Sequence, residues 1–149
     1  MDFLILGDGY TEAERAKFEK DARKLVDILF SYSPFKERKA DFNVWGLMPK
    51  AAESGISRPS TGVHRRPPLG STYDAFGAER YILTFDNAAL RDTAAFAPYE
   101  FVEILSNGNT SAGENQIMRF CSSLQRLKGS LSAIRNNAKI LHFATQAQQ

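Results

Sequence analysis

The sequence predicts an α/β fold built on a mixed, mostly parallel sheet with helices, followed by a C-terminal helix. Three observations point to it. Short apolar runs recur without polar alternation, which suits strands covered on both faces. A strongly amphipathic segment lies between the first two of these runs, and the alternation of strand and helix then continues to about residue 105.

The first run is Phe3-Leu4-Ile5-Leu6. Gly7-Asp8-Gly9 follows and allows a sharp turn without a side-chain clash. Thr11 and Glu14, three residues apart, form the signature of a capping box at a helix start. From Glu12 to about Ser31, Phe18, Ala22, Leu25, Val26, Leu29 and Phe30 recur at helical spacing. Lys17, Lys20, Arg23 and Lys24 occupy the other face. Acidic residues mixed among them make that face a solvated one rather than a nucleic-acid patch. Ser33-Pro34 ends the helix.

Asp41 to Leu47 reads as a second strand, reached by a right-handed crossover. Pro49 to Glu79 is a long loop with many prolines and glycines, and loops of this length inside a compact domain are commonly functional or disordered. His64-Arg65-Arg66 within it admits an anion-site reading, and a solvated basic loop is the plainer one. Arg80 to Phe85 reads as a third strand in a buried position. Asp86-Asn87 supplies the next N-cap for a short helix through Ala95, closed by Pro98. Phe101 to Leu105 makes a fourth strand. After the turn-rich stretch Asn107 to Gly113, Ile117, Phe120, Cys121, Leu124, Leu127, Leu131 and Ile134 keep a three-four spacing that predicts a helix, interrupted by Gly129.

At 149 residues the chain has the size of one domain, which buries about 68–70% of the surface its unfolded form exposes. Its 43% hydrophobic content and net charge of +2 give no global drive toward nucleic acid. The charge is unevenly spread: residues 1–112 carry 14 Lys and Arg against 16 Asp and Glu, net −2. Residues 113–149 carry Arg119, Arg126, Lys128, Arg135 and Lys139 against Glu114 alone, net +4. Two segments are therefore expected, 1–112 and a divergent basic tail over 113–149. Cys121, the single cysteine, excludes an internal disulfide and leaves the compartment undetermined. No apolar run approaches the ~20 residues of a membrane span, and no secretion signal is recognisable at Met1. Neither a nucleic-acid nor a membrane partner is expected, and localisation stays open.

Chemical motifs are sparse. Gly7-Asp8-Gly9-Tyr10-Thr11 lacks the third glycine of a dinucleotide fingerprint, and its acidic residues would repel a pyrophosphate from the helix N-terminus. A tight strand-to-helix turn is the better reading. His64 and His142 lie in separate segments, Cys121 apart from both, and no H-E-x-x-H or G-x-S-x-G is present. A serine-type triad has nothing in the spacing to support it.

Several blocks at compatible spacing carry more information than any one motif. Leu4-Ile5-Leu6-Gly7-Asp8-Gly9-Tyr10-Thr11, Pro34-Phe35-Lys36-Glu37-Arg38 with Asp41-Phe42-Asn43-Val44-Trp45, Glu53-Ser54-Gly55, Ser71-Thr72-Tyr73-Asp74-Ala75-Phe76-Gly77 and Arg80-Tyr81 through Phe85-Asp86-Asn87 form an ordered series. From about residue 2 to about residue 110 this series resembles the first half of the catalytic domain of the immunoglobulin A peptidase family of zinc metallopeptidases.

The resemblance implies a partial zincin-like fold, with a mixed sheet and helix forming the upper half of a cleft. Complete relatives, often exported, would then use an H-E-x-x-H helix to hold zinc and would hydrolyse peptide or protein substrates. That helix is expected shortly after the strand at Phe101 to Leu105. Glu114 to Cys121 stands there instead, with no histidine, and His142 has neither a following glutamate nor a second histidine four residues on. No catalytic or metal residue is therefore assigned, and no cofactor is expected in this chain. Ser106, Asn107 and Gly108, where the last strand gives way to the turn, are the candidate substrate-cleft residues. The expected function is that of a truncated or frame-altered zinc metallopeptidase fragment, inactive as this chain; a natural zinc-free relative is the other origin. A non-enzymatic peptide- or protein-binding α/β module is the alternative function, and a small nucleotide-binding protein a third.

Overall fold

The computed structural model describes residues 1–77, 82–108, 117–120 and 138–143. Its centre is β1, Asp2–Asp8, whose side chains from Phe3 onward are buried on both faces. A strand with no polar alternation needs cover on both sides, and it receives it. Through a short helical turn at Glu12–Glu14 the chain enters α1, Arg15–Leu29. The Thr11–Glu14 capping box forms as expected. Phe18, Ala22, Leu25 and Val26 of α1 are buried together with Phe30, the face that the helical spacing predicts.

β2, Asn43–Pro49, lies parallel to β1, with Phe3 opposite Val44 and Leu6 opposite Leu47. On the other side of β1 lies β5, Phe101–Ser106, also parallel, with Asp8 opposite Ser106. One face of this sheet packs Phe3, Ile5, Val44 and Leu105 against α1. The other packs Leu4, Leu6, Leu47, Val102 and Ile104 against α2, Asn87–Ala94, and against Leu69 of the long loop. Asp86 caps α2, its carboxylate accepting from the Ala89 N–H at 2.9 Å. The fold is thus a sheet covered on both faces, as an α/β class requires.

Two expectations are corrected. Among its described residues, 82–85, the strand expected from Arg80 to Phe85 is not part of the main sheet. Only Leu83–Thr84 is a strand there (β4), paired antiparallel with Ser71–Thr72 (β3) in a separate two-stranded sheet. The reason lies in its one-sided burial: Ile82 and Thr84 are buried while Phe85 is exposed, a pattern for a hairpin resting on the domain rather than a strand enclosed by it. Residues 78–81 of that expected strand lie outside the described residues.

The helix expected from Ile117 is the second correction. Ile117–Phe120 is a strand, β6, antiparallel to β5. Four residues are too few to separate a helical from an extended period, and the open hydrogen-bonding edge of β5 decides in favour of the strand. The stretch 121–137 lies outside the described residues, and with it the remainder of that helix. Ala138–Phe143 forms β7, antiparallel to β2. The main sheet therefore has the order β6-β5-β1-β2-β7, with strands from beyond residue 113 along both sides of the parallel centre.

Candidate functional site

Parallel strands β1 and β5 end side by side, and the chain leaves them toward the same end of the sheet. Because α1 covers one face and α2 the other, the connections diverge there, which is where open α/β sheets leave room for a site. The candidate residues Ser106, Asn107 and Gly108 all sit at this end.

Asp8 closes β1 and is fully buried. Its carboxylate accepts from the backbone N–H of Leu69 at 2.9 Å and of Ser71 at 3.0 Å, so it fastens the middle of the long loop to the sheet. Burial pushes its pKa up, opposed by the hydrogen bonds from Ser71, Leu69 and Gly9. An aspartate between two glycines thus serves as an acceptor for loop amides, not as part of a phosphate cradle.

Gly9 adopts φ +77°, and a Cβ there would lie 2.6 Å from the carbonyl oxygen of Gly55. The two backbones touch: the Gly55 N–H donates to the Gly9 carbonyl at 2.8 Å. Glu14, at the start of the helix, gathers the surrounding donors. One carboxylate oxygen accepts from the Thr11 N–H and hydroxyl, each at 3.0 Å, and the other from the Ser54 hydroxyl at 2.8 Å. Burial alone would raise its pKa. The hydrogen bonds from Thr11, Ser54 and Asn107 outweigh that and lower it to about 2.

Asn107 joins these parts. Its side-chain amide donates to the Gly9 carbonyl at 3.0 Å, to Glu14 at 3.2 Å and to the Ser54 hydroxyl at 3.2 Å. Its carbonyl oxygen accepts from Lys17 Nζ, and its backbone N–H donates to the Asp8 carbonyl at 2.8 Å. Ser106 and Asn107 are both 2% exposed, so the side chains of the candidate cleft residues face the interior. Gly108 is half-buried beside the Tyr73 hydroxyl, and a Cβ there would run into that oxygen.

Sequence reasoning therefore located the end of the sheet but missed residues that build it, among them Asp8, Glu14, Lys17 and Tyr73. Asp8 and Glu14 carried a signal, since carboxylates flanking a strand-to-helix turn are ready acceptors for unsatisfied N–H groups. Lys17 and Tyr73 carried none, because they reach Asn107 and Gly108 only through the tertiary fold. His64, Arg65 and Arg66 are exposed on the long loop, and Arg65 pairs with exposed Glu53 at 2.6 Å, as in a solvated basic segment.

The zinc implied by the resemblance can be tested against the residues present. His64 is exposed in the loop, and His142 occupies a register position in β7 opposite Trp45. Among the described residues no three His, Cys, Asp or Glu side chains come together as a metal ion would need. The described residues do not fit a zinc site. Among the same residues, no helix is long and apolar enough to cross a membrane.

A family model described as IgA Peptidase M64 matches residues 1–125. No curated protein matches the chain.

Proposed function

The chain belongs to the IgA peptidase M64 family, and from that premise we propose that it carries the substrate-side half of a metallopeptidase cleft without peptidase activity of its own. The observation that supports this reading is a pairing of presence and absence in one sequence. The ordered blocks of the family span most of the chain, yet no H-E-x-x-H occurs in its 149 residues. Two imidazoles on one helix face and a glutamate to activate bound water are what peptide hydrolysis by a zincin requires. A peptide would run past the end of the sheet, meeting the backbone at Gly108 and the half-exposed parts of the long loop, because Ser106 and Asn107 are turned inward.

The test is metal analysis after purification with excess zinc, together with incubation with casein and with an immunoglobulin. No stoichiometric zinc and no cleavage are expected. One tightly held zinc per chain with chelator-sensitive proteolysis overturns the proposal.

One observation favours the alternative of a non-enzymatic peptide-binding module. Phe76 and Phe85 are 83% and 63% exposed, and their rings meet edge to face at 6.4 Å on the small hairpin. An apolar pair of this kind on a surface is suited to holding an apolar side chain of a partner. Saturable peptide binding in the presence of chelator, lost in Phe76→Ser, would support that reading; binding unchanged by the substitution would end it.

A further inference from the structure

We infer that Asn107 is a positioning residue: anchored by Glu14 and Lys17, it sets the direction in which the chain leaves β5. The inference rests on the proposed cleft for its functional meaning, since the backbone it aims is the stretch at Gly108.

Three elements that are remote in sequence converge on one carboxamide. The start of α1 contributes Glu14 and Lys17, the loop after β2 contributes Ser54, and the exit of β1 contributes the Gly9 carbonyl. The amide hydrogens of Asn107 are directed at acceptors and its oxygen receives a cation, so the side chain is held in one orientation and cannot be flipped without placing donors against Lys17. With the side chain held, the backbone on either side is held as well. The Asn107 N–H bonds the Asp8 carbonyl at 2.8 Å and the Gly108 N–H bonds the Ser106 carbonyl at 2.9 Å. Strand β5 is thereby stopped at Ser106 and turned at the next two residues. A residue present only to fill the interior would be apolar; a fully satisfied buried polar group specifies a single arrangement.

The chemistry explains why the residue is asparagine. Aspartate would set a second carboxylate against Glu14 and the Gly9 carbonyl. Leucine would leave Lys17, Glu14 and Gly9 without the partner on which they converge. Only a group that donates on one side and accepts on the other fits between a carboxylate and an ammonium.

Amide hydrogen exchange on the whole chain tests the inference. In Lys17→Met, whose side chain is exposed and whose loss leaves the core intact, protection of the Asn107 and Gly108 amides is expected to fall about tenfold, the weight of one charge-assisted hydrogen bond. The amides of Ile5 and Leu47 at the middle of the sheet are expected to keep theirs. Asn107→Asp should do the same more strongly, and Glu14→Gln in the same chain should restore part of the loss, because the new amide can donate to the new carboxylate. Unchanged protection at 107 and 108, or a loss shared equally with Ile5 and Leu47, overturns the inference. If Asn107→Asp does not fold, Lys17→Met decides alone. None of these outcomes depends on zinc or proteolysis, so failure here and failure of the proposed function are read separately.

Discussion

Replacing Gly9 by alanine is expected to destabilise the chain by at least about 3 kcal/mol, and the structure supplies both parts of that figure. The residue sits at φ +77°, where an L side chain costs roughly 1–2 kcal/mol. Its new methyl would also lie 2.6 Å from the Gly55 carbonyl oxygen and 2.8 Å from the carbonyl carbon. Backbone cannot retreat as a flexible side-chain tip can. Relief means moving the loop away and giving up the Gly55 to Gly9 hydrogen bond, worth about 1 kcal/mol, along with overpacking of the kind that costs about 1–3 kcal/mol.

Gly62 is the internal control. It has φ +71° and nothing within 4 Å of where a methyl would stand, so Gly62→Ala carries the conformational cost alone, about 1–2 kcal/mol. Any gain from stiffening the unfolded chain is common to both substitutions and cancels in the comparison. Urea titrations compared at equal slope give the difference directly. In a thermal melt a loss of about 3 kcal/mol corresponds to roughly 6–12 °C for a chain of this size. Equal destabilisation by the two variants, within about 0.5 kcal/mol, the usual scatter of surface substitutions, would refute the claim that the loop is pressed against the glycine turn.

Three further outcomes follow from the same end of the sheet. The Glu14 carboxyl is lowered from 4.5 to about 2. Its contribution is therefore present above pH 4.5 and lost as pH falls toward 2, and after allowance for its partial exposure it amounts to about 1–2 kcal/mol. Glu14→Gln should cost that amount at neutral pH and nothing near the lowered pKa, as read by urea titration at each pH. Asp8 has the opposite sign: its folded pKa is raised, so the protonated carboxyl is the better tolerated one. The stability it adds is full below 3.8 and declines as pH rises through the raised value, so the deficit of Asp8→Ala relative to the parent should grow on acidification. Lastly, Gly108→Ala should lower the melting temperature because its methyl meets the Tyr73 hydroxyl, and adding Tyr73→Phe should recover most of the loss. Absence of recovery would show that the hydroxyl is not the obstacle.

The parallel centre of the fold was legible in the sequence for a definite reason. Phe3 to Leu6 are buried on both faces, and α1 presents one apolar stripe, so pattern and environment coincide in β1, α1, β2, α2 and β5. The pattern misleads where pairing decides. Ile82 to Phe85 has the composition of an inner strand, but Thr84 pairs with Ser71 on a hairpin outside the main sheet. Ile117 to Phe120 has helical spacing, but the register places it beside Leu105 to Val102. At the candidate site, the location at Ser106 to Gly108 came from family likeness and not from any local motif. The inward orientation of Ser106 and Asn107, and the contributions of Lys17 and Tyr73, depend on contacts between residues as far as 98 positions apart, as between Gly9 and Asn107. No window along the chain contains them.

The strand order also sets a schedule for folding. β1 precedes the other strands of the sheet yet stands in the middle, and one of its two neighbours, β5, is separated from it by nearly a hundred residues. The outer strands β6 and β7 come later still. A nascent chain must therefore keep an apolar strand waiting while nearly a hundred further residues emerge, and long-range parallel pairing of this kind is slow. Until the antiparallel strands dock, both sides of the three-stranded centre expose unpaired backbone that another chain can extend. Aggregation during synthesis is thus a hazard written into the topology, and chaperone capture is expected to matter most in the interval between the release of β5 and the docking of β7.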